Sequence, residues 1–555
     1  MISNLLTPRQ LWSNYDPYKE PLRPSYLDIT ESQSYYHFKT YINGDSYDNE
    51  PIRIYVQCYI PKKSTFNSNI ILMTDVGLHV EDDKQQENLA NLGFGVFSFD
   101  YSGFTNTSSK FTHYPKSINY ANYEYSNKDI FHDSVSPQNT PIFIWCKVCR
   151  KVINLIKQTR GDDSQIILTG YKLGADIAWQ VAAIDKRVDA VAAFLNAGWQ
   201  EFRNIPKLSN SALLPDKDDV SESWLSASST QAYIKFVNCP ALILAASNSP
   251  ITSLDRIVDS ANLIKSNGAN VCLNISAGQS NSMTKEAQIL YLKWIDSLSK
   301  NASLPKLPKI TISIYGNSLM ANLDVDKSQE IEKISVHYSY DELDSTLRSW
   351  SNRLVPLAGL KTDIPVYKET KIIFAFASVK YKNGFELTSL PTFYEIPQDA
   401  NTERTEIKKS RIIYQKSFGP NGWIVEQSSV YVDIVEPKIV QGPFGVYGIT
   451  TQIGNLSTYT IGEYKFKCEN QNLLQFDVCS SKSRELTVEI TSGSNGVYNL
   501  FYSTITIPEN VWTKCSLKVS DFKTKDLVPL KEWGNIKKLT FLNVDNALFN
   551  NIIWI

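Results

Sequence analysis

The sequence predicts a mostly parallel α/β domain followed by two all-β sandwiches, and three observations predict it. Short apolar runs alternate with helix-like stretches over residues 1–302. LPKLPK (Leu304 to Lys309) ends that pattern as a linker, and everything beyond it reads as short strands and turns. Apolar strands separated by helices imply a parallel sheet covered on both faces, whereas strands joined by turns imply sandwiches.

In chain order, the strands of the first region are IRIYVQCYIP, NIILMTDVG, FGVFSFDYSG, QIILTG, AVAAFLNAG, ALILAASNS and NVCLNIS. Between them run the helical ENLANLG, IFIWCKVCRKVINLIKQ, LGADIAWQVAAI and LDRIVDSANLIKSNG, and MTKEAQILYLKWIDSLSK closes the series. In the second region, residues 303–397, TISIYG, EKISVHYSY and TKIIFAFASVKY are strands. Its length of about 95 residues suits one immunoglobulin-like sandwich. The polar PQDANTERTEIKKS opens the third, residues 398–555, where RELTVEITSG, NLFYSTITIP, TKCSLKVSDF, KKLTFLNV and NNIIWI predict a jelly roll.

A chain of 555 residues exceeds one hydrophobic core, in keeping with several domains. Its 42% hydrophobic and 20% charged residues are those of a folded, soluble protein. A formal charge of -1 and a pI near 6.6 provide no field for nucleic acid or anionic lipid. No stretch approaches the roughly 18 to 20 apolar residues of a membrane helix, and the opening MISNLLTPRQLWSNYDPYKEP lacks the form of a signal peptide. Neither nucleic acid nor membrane is expected as a partner. Sequons stand at Asn106, Asn274, Asn301 and Asn455. Asn274 lies in a strand read as buried, which favours a compartment without N-glycosylation, such as the cytoplasm. The eight cysteines form no disulfide framework. Cys146 and Cys149 make a CxxC within an apolar helix, where two packed thiols are expected rather than a metal or redox site.

The chemistry-bearing motif is Gly170-Tyr171-Lys172-Leu173-Gly174, between the strand QIILTG and a helix. Small residues on either side of a central one, at a strand-to-helix junction, are what a nucleophile elbow requires: the turn is sharp and the helix packs close. Here the nucleophile position holds Lys172.

At this motif the chain resembles α/β-hydrolases of the acetyl-xylan-esterase and dipeptidyl-peptidase-like type that carry C-terminal β-sandwich domains. TPRQLWSNYDPYKEPL resembles their amino-terminal signature, ILMTDVGLHVEDD their oxyanion-loop region, and FDYSGF a DxRGxG turn without its arginine. CPALILAASNSPITSLDR resembles the strand that delivers the triad acid, with Ser249 or Asn248 in its place. NISAGQSNSMTKEA resembles the histidine loop, with Asn281 in the histidine position. The resemblance implies an α/β-hydrolase whose triad has been lost. The histidine count agrees: of His37, His79, His113, His132 and His337, none lies between Lys172 and the second domain, where nucleophile–acid–histidine order would place the base.

The expectation is therefore a catalytically degenerate pseudo-hydrolase: a non-enzymatic structural scaffold or self-assembling homo-oligomer. Lys172 is expected to fill the old pocket and pair with Asp75. Two alternatives remain. One is an esterase or peptidase with a rebuilt site, in which a helix amino terminus lowers the Lys172 pKa and frees an amine nucleophile. The other is a carbohydrate-binding protein, with polysaccharide as partner. The last domain resembles carbohydrate-binding jelly rolls, and Tyr498, Phe501, Tyr502 and Trp512 are its candidate stacking platforms; Asn550 stands where related modules often place Asp. No cofactor or metal is expected. His79 with Glu81, Asp82 and Asp83 reads as acids opening a helix, and His113 and His132 read as surface-loop residues.

Overall fold

The computed structural model describes residues 6–76, 83–104, 109–125, 129–133, 135–200, 219–252, 254–302, 304–400, 402–426, 435–494 and 497–555. The first domain is built on nine strands: β1 (Ser25–Glu31), β2 (Tyr35–Tyr47), β3 (Glu50–Pro61), β4 (Ser68–Met73), β5 (Gly95–Phe99), β6 (Gln165–Tyr171), β7 (Ala190–Phe194), β8 (Ala241–Ala246) and β9 (Val271–Ser276). They form one sheet in the order β1-β2-β3-β5-β4-β6-β7-β8-β9. From β5 to β9 every pairing is parallel, and β1, β2 and β3 add an antiparallel wing. Strands β4, β5, β7, β8 and β9 are buried along their whole length, which is why they read as unbroken apolar runs.

The helices of this domain are α1 (Pro8–Trp12), α2 (Asp83–Asn91), α3 (Pro141–Arg160), α4 (Leu173–Ile184), α5 (Asp219–Ala227), α6 (Thr230–Ile234), α7 (Ile257–Ser266) and α8 (Lys285–Ser299). Among the described residues no helix is long and apolar enough to cross a membrane. Helices α3 and α4 pack on one face of the sheet and α8 on the other, so two separate apolar cores lie against it. The chain leaves β4 for β5 on one side and returns to β6 on the other. This reversal opens a crevice beyond the carboxyl ends of β4 and β6, where α/β sheets place their ligands.

Beyond Lys309 all sheets are antiparallel. The second region stacks a three-stranded sheet on a five-stranded one, and the third stacks a six-stranded sheet on another of five. The second region shares a core with the first: Tyr291 and Trp294 of α8 belong to the same apolar cluster as Val336, Val379 and Leu387. The third keeps its own core, around Phe476, Phe541 and Trp554. The exposed edge of β9 is covered by the strand Glu386–Thr388 through side chains. Asn274 Nδ2 donates to the Glu386 carbonyl at 3.0 Å, and Thr388 Oγ1 accepts from the Ile275 N–H at 3.1 Å. A glycan on Asn274 would break this joint.

His337 lies on the same seam, in the strand Ile331–Tyr340, stacked on Phe376 at 4.8 Å. Burial pushes its pKa down to about 4 from 6.5, and Lys333 adds to the shift. Its neutral form therefore stabilises the fold fully above pH 6.5, and that contribution is lost as pH falls from 6.5 towards 4. Acid should cost up to about 3 kcal/mol from this residue alone. His337→Phe, compared with the parent in urea unfolding at pH 7 and pH 4.5, should lose correspondingly less.

Candidate active site

Lys172 occupies the tip of the elbow between β6 and α4, with φ 47° and ψ −109°. A left-handed backbone costs a non-glycine residue energy, so its neighbours must hold it. The Lys172 N–H donates to the Phe194 carbonyl at 2.9 Å; its own carbonyl accepts from Ala175 N at 3.1 Å and from Asn196 Nδ2 at 2.8 Å. The flanking glycines are required by close approach. A Cβ on Gly170 would lie 2.4 Å from Ala175 Cα, and one on Gly174 would lie 2.4 Å from the Met73 and Thr74 carbonyls. Helix α4 thus presses against the end of β4, and that contact brings the loop after β4 to Lys172.

Asp75 stands in that loop, with Oδ2 3.6 Å from Lys172 Nζ. Its other oxygen accepts from the Val76 N–H at 3.0 Å. Tyr101 donates to the Thr74 carbonyl at 2.7 Å, which fixes the residue before Asp75. Tyr101 itself follows Asp100, a buried carboxylate that gathers the N–H groups of Ser102, Gly103 and Thr112 at 2.7–3.1 Å and holds the turn FDYSGF. Burial drives the Lys172 amine below its ordinary pKa, and Asp75 offsets only part of that shift. The first turn of α4 adds N–H groups without helical partners and the positive end of a helix dipole.

The expected Lys172–Asp75 pair is therefore present. The residues expected in the other triad positions lie elsewhere in the hydrogen-bond network. Asn248 donates through Nδ2 to the carbonyls of Thr346 (3.1 Å) and Arg348 (2.8 Å) in the second region. Ser249 Oγ accepts from Ile251 N and Thr252 N, each at 3.2 Å, and closes a turn. The loop carrying half-buried Asn281 is tied to Asn248 through the Gln279 carbonyl at 2.8 Å, and Tyr459 of the third region bonds to its Ser280. Among the described residues no hydrogen bond or ion pair joins Ser249, Asn248 or Asn281 to Lys172. In this chain the ends of β8 and β9 serve as docking surfaces for the β-domains.

Of the other candidates, His79, Glu81 and Asp82 lie outside the described residues, as does the side chain of Asp83. His113 sits by Tyr41, with Nε2 3.3 Å from its hydroxyl. Among the described residues no hydrogen bond reaches the buried His132 Nε2, and no group of three or more His, Cys, Asp or Glu could hold a metal ion. Cys146 and Cys149 are buried, and burial pushes both thiols up, away from the thiolate that metals and redox chemistry need.

The four aromatic platforms do not form one surface. Phe501 is buried in the third core, so it has no face for a sugar. The Tyr498 hydroxyl donates to Glu342 at 2.6 Å, Tyr502 bonds to Glu489, and Trp512 Nε1 donates to the Pro443 carbonyl at 3.1 Å. Asn550 is buried as well. Sequence reasoning missed Asn196 and Tyr101, which pin the two halves of the site; only their places just after β7 and β5 could have signalled them.

The model of the dienelactone hydrolase family matches residues 54–302. No curated protein matches the chain. Among solved structures, an acetyl xylan esterase from Paenibacillus sp. R4 is similar at 12% identity and a TM-score of 0.40, over 54% of this chain and 96% of that one. Acetyl xylan esterase 1 from Thermoanaerobacterium sp. JW/SL YS485 aligns at 12% identity, TM-score 0.35, over 51% and 89% of the two chains. Est1E from Butyrivibrio proteoclasticus, with ferulic acid bound, aligns at 14% identity, TM-score 0.33, over 46% and 97%.

The first domain is an α/β-hydrolase domain, followed by antiparallel β-sheet domains. The family match overturns the expectation of a non-catalytic scaffold or self-assembling protein: it aligns the domain with a family of hydrolases and favours the enzymatic alternative. The error had a physical root. The expectation weighed one mechanism only, whereas a strained elbow and an ionisable pair are present at the crevice.

Proposed function

We propose that the protein is an ester hydrolase whose site is rebuilt around Asp75 and Lys172. The observation that carries this reading is the strained Lys172 backbone, held by bonds at both ends and presenting a largely buried amine 3.6 Å from a carboxylate at the switch point of the sheet. Strain kept at such a place is characteristic of reacting sites. The Asp75 carboxylate removes a proton from a water molecule, whose oxygen attacks the ester carbonyl. The Lys172 ammonium and the first turn of α4 stabilise the tetrahedral oxyanion. Collapse expels the alkoxide, which takes the proton from Asp75, and a carboxylic acid and an alcohol leave.

The test is steady-state turnover of p-nitrophenyl esters, from acetyl to octanoyl, by the full chain. Saturable hydrolysis is expected, with Asp75→Asn lowering kcat by about 100-fold or more. Absence of saturable turnover across the series, or an unimpaired Asp75→Asn variant, would remove this reading.

A further inference from the structure

Strand β7 lies beside β6 in the sheet, so the loop leaving its carboxyl end, Leu195 to Gln200, borders the elbow. This loop is held at almost every position. Leu195, buried and left-handed at φ 55°, donates its N–H to the Leu244 carbonyl at 2.8 Å. Asn196 donates to the Lys172 carbonyl at 2.8 Å and accepts from the Gly198 N–H at 2.6 Å, and the Ala197 carbonyl accepts from the Ser260 hydroxyl. Gly198 is left-handed as well, at φ 71°, and a Cβ there would stand 2.5 Å from Ile234 Cδ1. The Gln200 side chain donates to Asp176 at 3.2 Å and accepts the Thr230 N–H at 3.1 Å, while its own N–H donates to Gln231 at 3.1 Å.

Trp199 is the exception. It is half-buried, and among the described residues its ring has no hydrogen bond, aromatic contact or cation. Its place is nevertheless fixed from both sides. Asn196 is bonded to Lys172 itself, and Asp176, which Gln200 holds, stands one turn of α4, about 6 Å, beyond Lys172. Two left-handed residues and a closed set of hydrogen bonds therefore hold a large indole next to the proposed reacting amine. A rigid, partly exposed aromatic is what a binding site supplies to an apolar group of its ligand.

We propose that Trp199 is a specificity residue and that the esters cleaved are those of aromatic carboxylic acids, the acyl ring lying on the indole while the ester carbonyl sits at Asp75 and Lys172. This rests on the ester-hydrolase reading and names its substrate class. A sugar in the same place would set its hydroxyls against Asn196, Asp176, Gln200 and Thr230, whose polar atoms already bond within the fold. An acetyl group would leave the indole uncovered. A planar apolar ring covers it and asks for no further hydrogen bond.

Calorimetric titration of the full chain with benzoate and with acetate, the acids such esters release, tests the site without relying on turnover. Benzoate should bind at least about tenfold more tightly than acetate, the gain expected from covering one ring face. Trp199→Leu, which keeps apolar bulk and loses the plane, should remove that margin, and Trp199→Phe should keep part of it. In turnover, the ratio of kcat/KM for p-nitrophenyl benzoate to that for the acetate should fall by about the same factor in Trp199→Leu. Absence of benzoate binding, equal binding of the two acids, or a margin untouched in Trp199→Leu would overturn the role of Trp199 and leave the ester-hydrolase reading standing. Benzoate bound through Trp199 with no ester turned over would keep the aromatic-acid site and remove the hydrolase.

Discussion

Lys172→Ala is expected to lower kcat/KM for p-nitrophenyl acetate by about 100- to 1,000-fold, the range seen when one oxyanion donor is removed from a water-poor site. Truncation also leaves the Asp75 carboxylate without its cation. The pH profile separates the roles. If Lys172 acts as the ammonium, activity is present below its pKa and is lost as pH rises through it. Because burial sets that pKa below the ordinary 10.5, the alkaline limb should come early. Lys172→Arg, which stays charged, should push that limb upward while keeping part of the rate. A rate that climbs with pH through this region would make the amine the base and reverse the assignment. Equal rates in Lys172→Ala and the parent would place the chemistry elsewhere.

How much of this was legible in the sequence follows from where burial is continuous. Strands β4 to β9 read correctly because both faces are covered, and Gly170 and Gly174 announced the elbow because nothing larger fits between β6, α4 and β4. Strand β1 went unread because it is exposed along its whole length and carries no alternation; β2, half-buried and rich in tyrosine, was lost with it. The Lys172–Asp75 pair was legible from topology alone, as the loops after β4 and β6 flank the crevice. The fate of Asn248 was not, because it depends on contacts with Thr346 and Arg348 some hundred residues along the chain, and no local pattern records such distances. Reading Asn248, Ser249 and Asn281 as part of a broken triad was a statement about one mechanism, and extending it to the absence of any chemistry was the step that failed.

Those same contacts yield the second large effect. Arg348 is almost fully buried between the first two regions, at 1% exposure. Its guanidinium holds Asp255 bidentately at 2.7 and 3.0 Å, donates to the carbonyls of Glu342 and Leu343 at 2.9 Å each, and lies 3.7 Å over the Phe374 ring. Arg348→Met should destabilise the protein by about 3–5 kcal/mol, because it strands the Asp255 carboxylate and the carbonyls of Glu342 and Leu343 at once. Adding Asp255→Leu should recover much of that loss, since two apolar side chains restore the packing without a buried charge. Chemical unfolding of the single and double variants gives the coupling energy directly. Ester turnover in the double variant carries a further consequence. Arg348 supports the loop after β8 through Asn248, whereas Asp75 and Lys172 stand after β4 and β6, on the other side of β7. Turnover should therefore stay within about threefold of the parent once stability is restored. A loss as deep as that of Lys172→Ala would extend the reacting site to the β8 loop, and a two-residue site at β4 and β6 would no longer account for catalysis.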